Sequence, residues 1–415
     1  MRWFKKNSED LSDPQKYSLG AWLGSGSEGS VHALVPVNGA TSTAVVKNIY
    51  FKEENKAEII RQVQLYQALT EFSHSAEETG LVELLGYEID LENKVCHLYM
   101  PKCEITLDKA MPMLVNLLKI ADNNQAMNDW LSLFMFDLFS SLVRSQKTLS
   151  TFNTIDGDLK PANIGLLPVQ PTQDTTNMLH WGVFDFGCSV RLGAKSKPVP
   201  EELDSEFKLT LQTERDEIEH GLYGKVTGTK PFIAPEVLVC RMQSRARDIW
   251  SIGTLFNILL SSRQSNPNLM EYYTIMTEQL DFERSQLSEM KRCLFSEEDI
   301  PGGEKYGSET EMCDYFRRLE NQRLFAEFLK FAASKKVNNF MPSFSFLIKA
   351  MLHPLTEVRL GLAQLEKALP VLQSLLPNQT SSIGYGRERF FQLLDDHSHL
   401  KPEPNPFSLR SAISA

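Results

Sequence analysis

Apolar and polar residues alternate along the first hundred positions in a pattern typical of short β-strands. The pattern begins at Tyr17, and a turn signal at Asn38-Gly39 separates two of the strands. Residues 52–72 instead carry apolar residues three and four positions apart, which predicts one helix. Segments 81–87 and 95–100 return to the strand pattern, so we expect a fourth and a fifth strand there. This part of the chain therefore predicts a small sheet with one main helix.

The chain after the predicted sheet is mostly helical in pattern. Residues 131–142 predict one buried helix that comes just before a polar loop. Residues 262–340 are also helical in pattern, but Pro301-Gly302-Gly303 interrupts them, so they cannot form a single helix. The chain begins with polar residues and ends with a stretch that contains several glycines and prolines. We therefore expect a polar leader over 1–16 and a C-terminal tail over 375–415.

Composition narrows the class of protein. The 415 residues suffice for one large domain or two small ones, and 42% hydrophobic with 23% charged residues is typical of a globular chain. A net charge of −10 argues against a nucleic-acid binder that works by bulk charge. No apolar region follows the charged N-terminus, and no window approaches about 18 uninterrupted apolar residues. We expect neither a secretory signal peptide nor a membrane span.

The cysteines indicate a compartment rather than a site. The chain has 6 cysteines, and they form no C-x-x-C pair that would indicate a zinc site or a disulfide framework. Reduced thiols in the cytoplasm are the expected state. The sequence carries no delivery signal, and it leaves open whether the chain is a microbial effector delivered into a host cell. It also leaves the oligomeric state open.

A glycine-rich segment precedes a strand that ends in lysine. Residues 23–31 read L-G-S-G-S-E-G-S-V, and dinucleotide-binding folds use similarly spaced glycines. The dinucleotide version needs a helix immediately afterwards, whereas another strand pattern follows here. A hairpin whose small residues let backbone N–H groups approach phosphate oxygens fits better. The next strand pattern, over 43–47, ends in Lys47, and a lone lysine after an apolar run is usually just a solvated strand end.

Two loops supply the groups that phosphoryl transfer requires. The first reads D-G-D-L-K-P-A-N and offers an acid, a cation and an amide, namely Asp158, Lys160 and Asn163. The second reads F-D-F-G and offers the carboxylate of Asp185. Phosphoryl transfer needs a group that orients the attacking hydroxyl, charge for the moving phosphoryl group and oxygen ligands for Mg²⁺.

These motifs resemble those of the eukaryotic-type serine/threonine protein kinase family. The family's catalytic loop reads H-R-D-L-x-x-x-N, and here the His and Arg are replaced by Asp156 and Gly157. Further similar motifs are G-T-K-P-F-I-A-P-E over 228–236 and R-D-I-W-S-I-G over 247–253. The resemblance implies an α+β, two-lobed kinase fold with a small β-rich N-lobe and a large helical C-lobe.

The resemblance also implies domain bounds. The kinase domain is expected over 17–374, with the N-lobe over 17–100, a hinge over 101–103 and the C-lobe over 104–374. Insertions relative to the family minimum are expected near 168–177, 194–224 and 262–340.

ATP and Mg²⁺ are the cofactors that the resemblance implies. Asp158 would orient the substrate hydroxyl, Lys160 would reach the transferring phosphoryl group, and Asn163 with Asp185 would hold the metal. The expected nucleotide contacts are Leu23, Gly24, Ser25, Gly26, Ser27, Glu28, Gly29, Ser30, Val31, Val45, Lys47, Met100, Pro101 and Cys103. Met100 would be the gatekeeper, and the backbone of Pro101 and Cys103 would pair with adenine.

Structural pairs are implied as well. Asp248 would hold the backbone of the catalytic loop, and Glu236 would pair with Arg359. The family's helix glutamate has no exact counterpart here, because the aligned residue is Gln62. Lys47 would then pair with Glu58, one turn earlier, or form a hydrogen bond with Gln62.

Regulation is expected to depart from the family pattern. An arginine at the position of Gly157 usually binds a phosphate on the activation segment, which we expect over 194–224, and glycine has no side chain to do so. Asp156 would add a negative charge that repels a phosphate. We therefore expect activity without phosphorylation of that segment; a phosphate requirement would point to another basic residue, such as Arg191.

The partner implied is a protein substrate with a serine or threonine acceptor, with no nucleic acid and no membrane span. The alternative is a catalytically weak or inactive kinase-fold module that binds nucleotide or protein. An enzyme of this fold that acts on small molecules fits less well, because the motif over 228–236 favours protein substrates.

Overall fold

The computed structural model describes residues 2–4, 11–25, 29–40, 42–72, 76–121, 123–168, 179–191, 227–240, 244–261, 309–334, 339–353, 356, 358–377 and 385–397. These residues form a small lobe built on an antiparallel sheet and a larger, mostly helical lobe. The predicted α+β, two-lobed fold is therefore confirmed. Within these ranges, no helix combines the length and the apolar composition needed to span a membrane.

The small lobe contains a six-stranded sheet in the order β1-β5-β6-β4-β3-β2. Each neighbouring pair is antiparallel, so the sheet needs no crossover helix between paired strands. The strands are β1 Arg2–Phe4, β2 Tyr17–Ser25, β3 Gly29–Pro36, β4 Ala44–Tyr50, β5 Gly86–Asp90 and β6 Val95–Pro101.

The first strand lies within the predicted leader. Trp3 stacks on Tyr87 with ring centroids 6.0 Å apart, and Phe4 packs against Tyr99 at 5.6 Å. Gly86 makes this possible, because a Cβ at that position would collide with the Phe4 ring. Residues 2–4 thus add a strand to the edge of the sheet, which the polar composition of the leader did not predict.

The strand expected over 81–87 is wrong in its bounds. Val82 N–H donates to Val183 O at 2.9 Å, and Leu84 N–H donates to the Thr70 hydroxyl at 3.0 Å. Backbone groups that are engaged elsewhere cannot extend the sheet ladder. The strand therefore begins only at Gly86, and the residues before it connect the sheet to the helical lobe.

The main helix of the small lobe is α1, Lys56–Phe72, with a 3₁₀ turn over Glu53–Asn55 in front of it. The helix predicted over 52–72 is thus confirmed apart from its first turn. Its apolar residues Ile59, Ile60, Val63, Tyr66 and Leu69 are all buried.

The large lobe is built around one long helix, α4, Gln125–Thr151, which is buried over most of its length. The other described helices are α2 Ala76–Thr79, α3 Leu107–Ala121, α5 Pro235–Cys240, α6 Ala246–Ser261, α7 Glu309–Ala333, α8 Phe340–Met351, α9 Leu362–Ser374 and α10 Arg387–Asp396. Short strands flank the loops of the site: β7 Thr154–Ile155, β8 Ile164–Leu166, β9 Trp181–Val183 and β10 Val190–Arg191.

Three phenylalanines join α4, α6 and α8 in the core of the large lobe. Phe139 lies 5.6 Å from Phe256 and 5.2 Å from Phe344, and the last two are 5.0 Å apart. All three pairs are edge-to-face, which is a favoured aromatic geometry. The core thereby fixes α6, whose first turn carries Asp248.

The predicted pair of Glu236 and Arg359 is confirmed. Both carboxylate oxygens of Glu236 accept from the guanidinium, at 2.8 and 2.9 Å, and both side chains are fully buried. Arg359 also donates to Ala246 O and His353 O. The pair therefore ties α5 to the start of α6 and to the segment before α9.

The predicted tail contains a packed helix. Phe390 of α10 is fully buried among Trp130, Phe134 and Trp181, with centroids 6.0 to 6.5 Å away. Just before the helix, the Tyr385 hydroxyl donates to the Asp137 carboxyl at 2.5 Å, and burial raises the pKa of Asp137 to about 6.

Arg387 links the same helix to the connection between the lobes. It forms an ion pair with Glu104 and donates to Leu167 O at 2.6 Å. The expected insertions near 168–177 and 194–224 lie mostly outside the described residues, and α7 occupies part of the one over 262–340.

We expect Phe390→Ala to lower the free energy of unfolding by about 3–5 kcal/mol, the usual cost of deleting a fully buried aromatic side chain. Chemical denaturation measures the change. Phe391→Ala is the matched control, because Phe391 is only partly buried and should cost clearly less. Equal small losses in the two variants would show that α10 does not pack on the large lobe.

Candidate active site

The glycine-rich hairpin joins β2 and β3 and approaches the site from the small lobe. Gly24 pairs with Val31 and Ser25 with Ser30 across the hairpin. Gly24 has open space where a side chain would project, whereas a Cβ on Gly29 would collide with the Asn48 carbonyl. Gly29 is thus required by the close approach of β4. The expected contacts Gly26, Ser27 and Glu28 lie outside the described residues.

Lys47 projects from β4 towards the large lobe and forms an ion pair with Asp185. Its Nζ lies 2.5 Å from Asp185 Oδ1. Asp185 has φ +69°, a left-handed conformation that is uncommon for a residue with a side chain. Its backbone N–H donates to the Tyr66 hydroxyl at 2.7 Å, so α1 helps to hold this conformation.

Gln62 reaches the same carboxylate. Its Nε2 donates to Asp185 Oδ1 at 3.4 Å, and its Oε1 is buried with no hydrogen-bond partner among the described residues. The expected hydrogen bond between the described side chains of Lys47 and Gln62 is not found, because both bind Asp185 instead. The alternative, a pair between Lys47 and Glu58, stays a prediction. The Glu58 side chain lies outside what the structure describes.

The hinge follows β6. Met100 is buried and pairs with Val45 across the sheet. Lys102 N–H donates to Thr43 O at 2.9 Å. Because successive residues of a strand direct their backbone polar groups to opposite sides, the carbonyl of Pro101, the last residue of β6, faces away from β4.

Cys103 takes the space of a missing side chain in β8. A Cβ on Gly165 would lie 2.5 Å from Cys103 Sγ, so the thiol occupies the space that a side chain at 165 would need. Burial raises the pKa of Cys103 to about 12, and the thiol therefore stays neutral.

Asp158, Lys160 and Thr229 form a closed cluster. Lys160 Nζ lies 2.6 Å from Asp158 Oδ2 and 2.9 Å from the Thr229 hydroxyl, which in turn donates to Asp158 Oδ1 at 2.7 Å. The side chains of Asp158 and Lys160 are 13% and 25% exposed, so solvent can reach both. The structure thus brings the two predicted catalytic residues together with Thr229, which lies in the motif over 228–236.

Asn163 links the two loops. Its Nδ2 donates to Asp158 O at 3.0 Å, and its backbone carbonyl accepts from Phe184 N–H at 3.0 Å. The second bond places Asp185 next to Asn163. A carboxylate and an amide oxygen are hard ligands, and Mg²⁺ commonly takes few protein ligands together with substrate phosphates. The residues present therefore fit Mg²⁺.

Asp248 holds the catalytic loop from below, as expected. Its two carboxylate oxygens accept from Asp156 N–H at 2.7 Å and Gly157 N–H at 3.0 Å. These bonds anchor the loop to the first turn of α6 immediately before Asp158.

Asp156 is fully buried beside this carboxylate. Its Oδ1 accepts from Asp158 N–H at 3.0 Å, while its Oδ2 has no hydrogen-bond partner among the described residues. Burial and the neighbouring Asp248 raise the pKa of Asp156 well above its ordinary value. Burial also raises the pKa of Asp248, but two N–H donors and the nearby Arg247 favour its charged form. Of the two carboxyl groups, Asp156 therefore takes up a proton more readily, which opposes the negative charge expected there.

Tyr66 is a functional residue that the sequence analysis missed. Its ring lies 4.8 Å from that of Phe186, and its hydroxyl accepts the Asp185 N–H. Burial and Asp185 raise the pKa of its hydroxyl, which stays protonated. The sequence could have indicated this role, because Tyr66 carries a hydroxyl group at a position of α1 where the helical spacing required only an apolar residue.

The match to known proteins agrees with this geometry. The model of the protein kinase domain matches residues 17–369. The chain therefore belongs to the protein kinase domain family, whose members are phosphotransferases. A search of curated proteins finds no match.

We expect Asp156→Asn to remove part of the pH dependence of stability. Below about pH 4, Asp156 holds a proton in both the folded and the unfolded state. Above that pH the folded state holds the proton more tightly. The stability of wild type therefore falls as pH rises towards the folded-state pKa, by up to about 1.4 kcal/mol per pH unit. Asparagine keeps the acceptor for Asp158 N–H and cannot ionise. The melting temperature of the variant minus that of wild type should therefore increase between about pH 5 and about pH 8. If the melting temperatures of the two proteins change in parallel across this pH range, Asp156 is ionised in the folded chain.

Proposed function

We propose that the chain is a serine/threonine protein kinase that transfers the γ-phosphoryl group of ATP to a protein hydroxyl. The observation that carries the proposal is the placement of Asp158, Lys160 and Thr229 in one cluster, with Asn163 joining that cluster to the loop of Asp185.

Asp158 would orient the attacking hydroxyl. Each of its oxygens already accepts one hydrogen bond, and an ionised carboxylate has about four acceptor positions, so it can also accept from a substrate O–H. The substrate oxygen forms the bond to the γ-phosphorus as the bond to the β–γ bridging oxygen breaks. ADP leaves, and the substrate proton passes to Asp158. Lys160, beside Asp158, would place positive charge near the moving phosphoryl group.

Lys47 and Asp185 would exchange partners when the nucleotide binds. Lys47 would bind the α- and β-phosphates as a point charge, which frees Asp185 Oδ1 for the metal. Mg²⁺ bound by Asn163 and Asp185 would neutralise charge on the phosphates. Gln62 would remain near Asp185 as a neutral donor, in place of the glutamate that pairs with the lysine elsewhere in the family.

Specificity for serine and threonine is supported by the catalytic loop. D-L-K-P-A-N with a threonine at 229 resembles the serine/threonine branch of the family. A protein substrate is implied by family membership. Cytoplasmic location stays a prediction.

A weak or inactive binding module is the second candidate. Two observations favour it: glutamine stands at position 62, and Lys47 is engaged by the metal-binding carboxylate itself. Such a module would bind nucleotide or protein without turnover. Mg-ATP binding together with absent transfer would distinguish it from the kinase.

We expect Asp158→Asn and Lys47→Met each to lower phosphoryl transfer by about 100-fold or more, because the first removes the proton acceptor and the second a phosphate ligand. Transfer of radiolabelled phosphate from ATP to a generic protein substrate measures the rate, and phosphoamino-acid analysis should give only phosphoserine and phosphothreonine. Lys52→Met, which changes an exposed lysine just after β4, is the matched control and should retain the wild-type rate.

Thermal shift separates binding from catalysis. Mg-ATP should stabilise wild type more than Asp185→Asn, because the variant lacks the charged metal ligand. Equal stabilisation of both would refute the metal assignment. A wild-type chain that Mg-ATP stabilises but that transfers no phosphate would overturn the proposed activity in favour of the binding module.

A further inference from the structure

Gly157 leaves no room for a side chain in the catalytic loop. Its φ is +82°, and a Cβ there would collide with the Cys188 carbonyl. The connection that a side chain at this position could make to the activation segment must therefore come from another part of the chain.

Arg247 of α6 reaches this place from below. Its Nη2 donates to Gly157 O at 2.5 Å and to Thr227 O at 2.9 Å, and both terminal nitrogens lie 3.4 Å from the Thr227 hydroxyl. The residue is only 2% exposed. One guanidinium group thus bridges the catalytic loop and residues 227–232, which we call the closing segment.

The two bridged residues stand next to the predicted catalytic cluster. Gly157 immediately precedes Asp158, and Thr227 lies two residues before Thr229, whose hydroxyl bonds both Asp158 and Lys160. Asp248 accepts the Gly157 N–H while Arg247 donates to the Gly157 carbonyl. Two adjacent residues of α6, Asp248 and Arg247, therefore bind the backbone N–H and the backbone carbonyl of Gly157.

We propose that Arg247 is a positioning residue that couples the catalytic loop to the closing segment without a phosphate. The guanidinium has a planar set of donors that can serve two carbonyls at once, and Asp248 beside it balances its charge. Because the group is buried and already bonded on both sides, a phosphate on the activation segment could reach it only by breaking the bridge. The inference rests on the proposed function for its effect on turnover, but the coupling itself can be measured without turnover.

A purely structural role for Arg247 makes different predictions. A buried arginine that only stabilises the core would change melting temperature and leave the kinetic constants of the folded enzyme unchanged. A positioning residue would change how the protein substrate is processed while ATP binding, most of whose expected contacts lie in the small lobe and hinge, stays the same.

Arg247→Met, Arg247→Lys and the control Arg245→Met test the proposal. Arg245 is an exposed arginine two residues earlier, and it donates to Ser150 O and Asn153 Oδ1, away from the bridge. We expect Arg247→Met to lower kcat/KM for the protein substrate by about tenfold or more while KM for ATP stays within about twofold. Arg247→Lys keeps the charge but not the fork, so its loss should be smaller. Arg245→Met should behave as wild type.

Hydrogen exchange gives a readout that needs no activity. Amides over 156–158 and 227–232 should exchange faster in both Arg247 variants and at the wild-type rate in Arg245→Met. If Arg247→Met shows no cooperative melt, Arg247→Lys decides. The proposal is overturned if the folded Arg247 variants keep wild-type exchange and kcat/KM, or if exchange rises uniformly across the large lobe. A wild-type chain without any transfer activity would refute the proposed function, and the exchange experiment would still decide the role of Arg247.

Discussion

The active site depends on one buried carboxylate, that of Asp248. It lies in the first turn of α6, where the helix dipole favours negative charge, and it accepts N–H groups from Asp156 and Gly157. A buried carboxylate without donors would be costly, and so would loop amides without acceptors. The contact satisfies both sides. Because Phe256 fixes α6 in the core, the loop that carries Asp158 is positioned by the packed interior of the large lobe.

The same contact determines which other charges the interior can hold. A second ionised carboxylate next to Asp248 would be repelled and poorly solvated, and the pKa of Asp156 is accordingly raised. Arg247 is the cation nearby, and it binds two backbone carbonyls rather than an external anion. In the proposed coupling, these two bonds take the place of the phosphate contact that an arginine at position 157 would make, and Gly157 has no side chain for that contact.

Short sequence motifs predicted those contacts of the site that follow from the residue types in a motif and from their spacing. The Glu236–Arg359 pair and the hold of Asp248 on the catalytic loop were predicted as they are found. Contacts between segments far apart in the sequence could not be predicted in this way. In the sequence, Arg247 is only the first residue of the motif over 247–253. Its contact with Thr227 depends on how the chain folds between the two loops. The convergence of Gln62 on Asp185 likewise depends on the exact placement of α1 against β4.

The limits of pattern analysis were clearest at the ends of the described chain. The strand over Arg2–Phe4 is too short for alternation to be recognised, and α10 lies in a segment whose glycines and prolines indicated a tail. Both are held by aromatic side chains that pack on distant partners, and periodicity within the segment contains no information about those partners.

The most direct test of this account is the time course of phosphoryl transfer by phosphatase-treated chain, with complete removal of phosphate verified by mass spectrometry. If the catalytic loop and the closing segment are coupled by the fold itself, transfer begins at its full rate without a lag. A pronounced lag that prior autophosphorylation abolishes, and that disappears when the serines and threonines over 194–224 are replaced by alanine, would contradict the account.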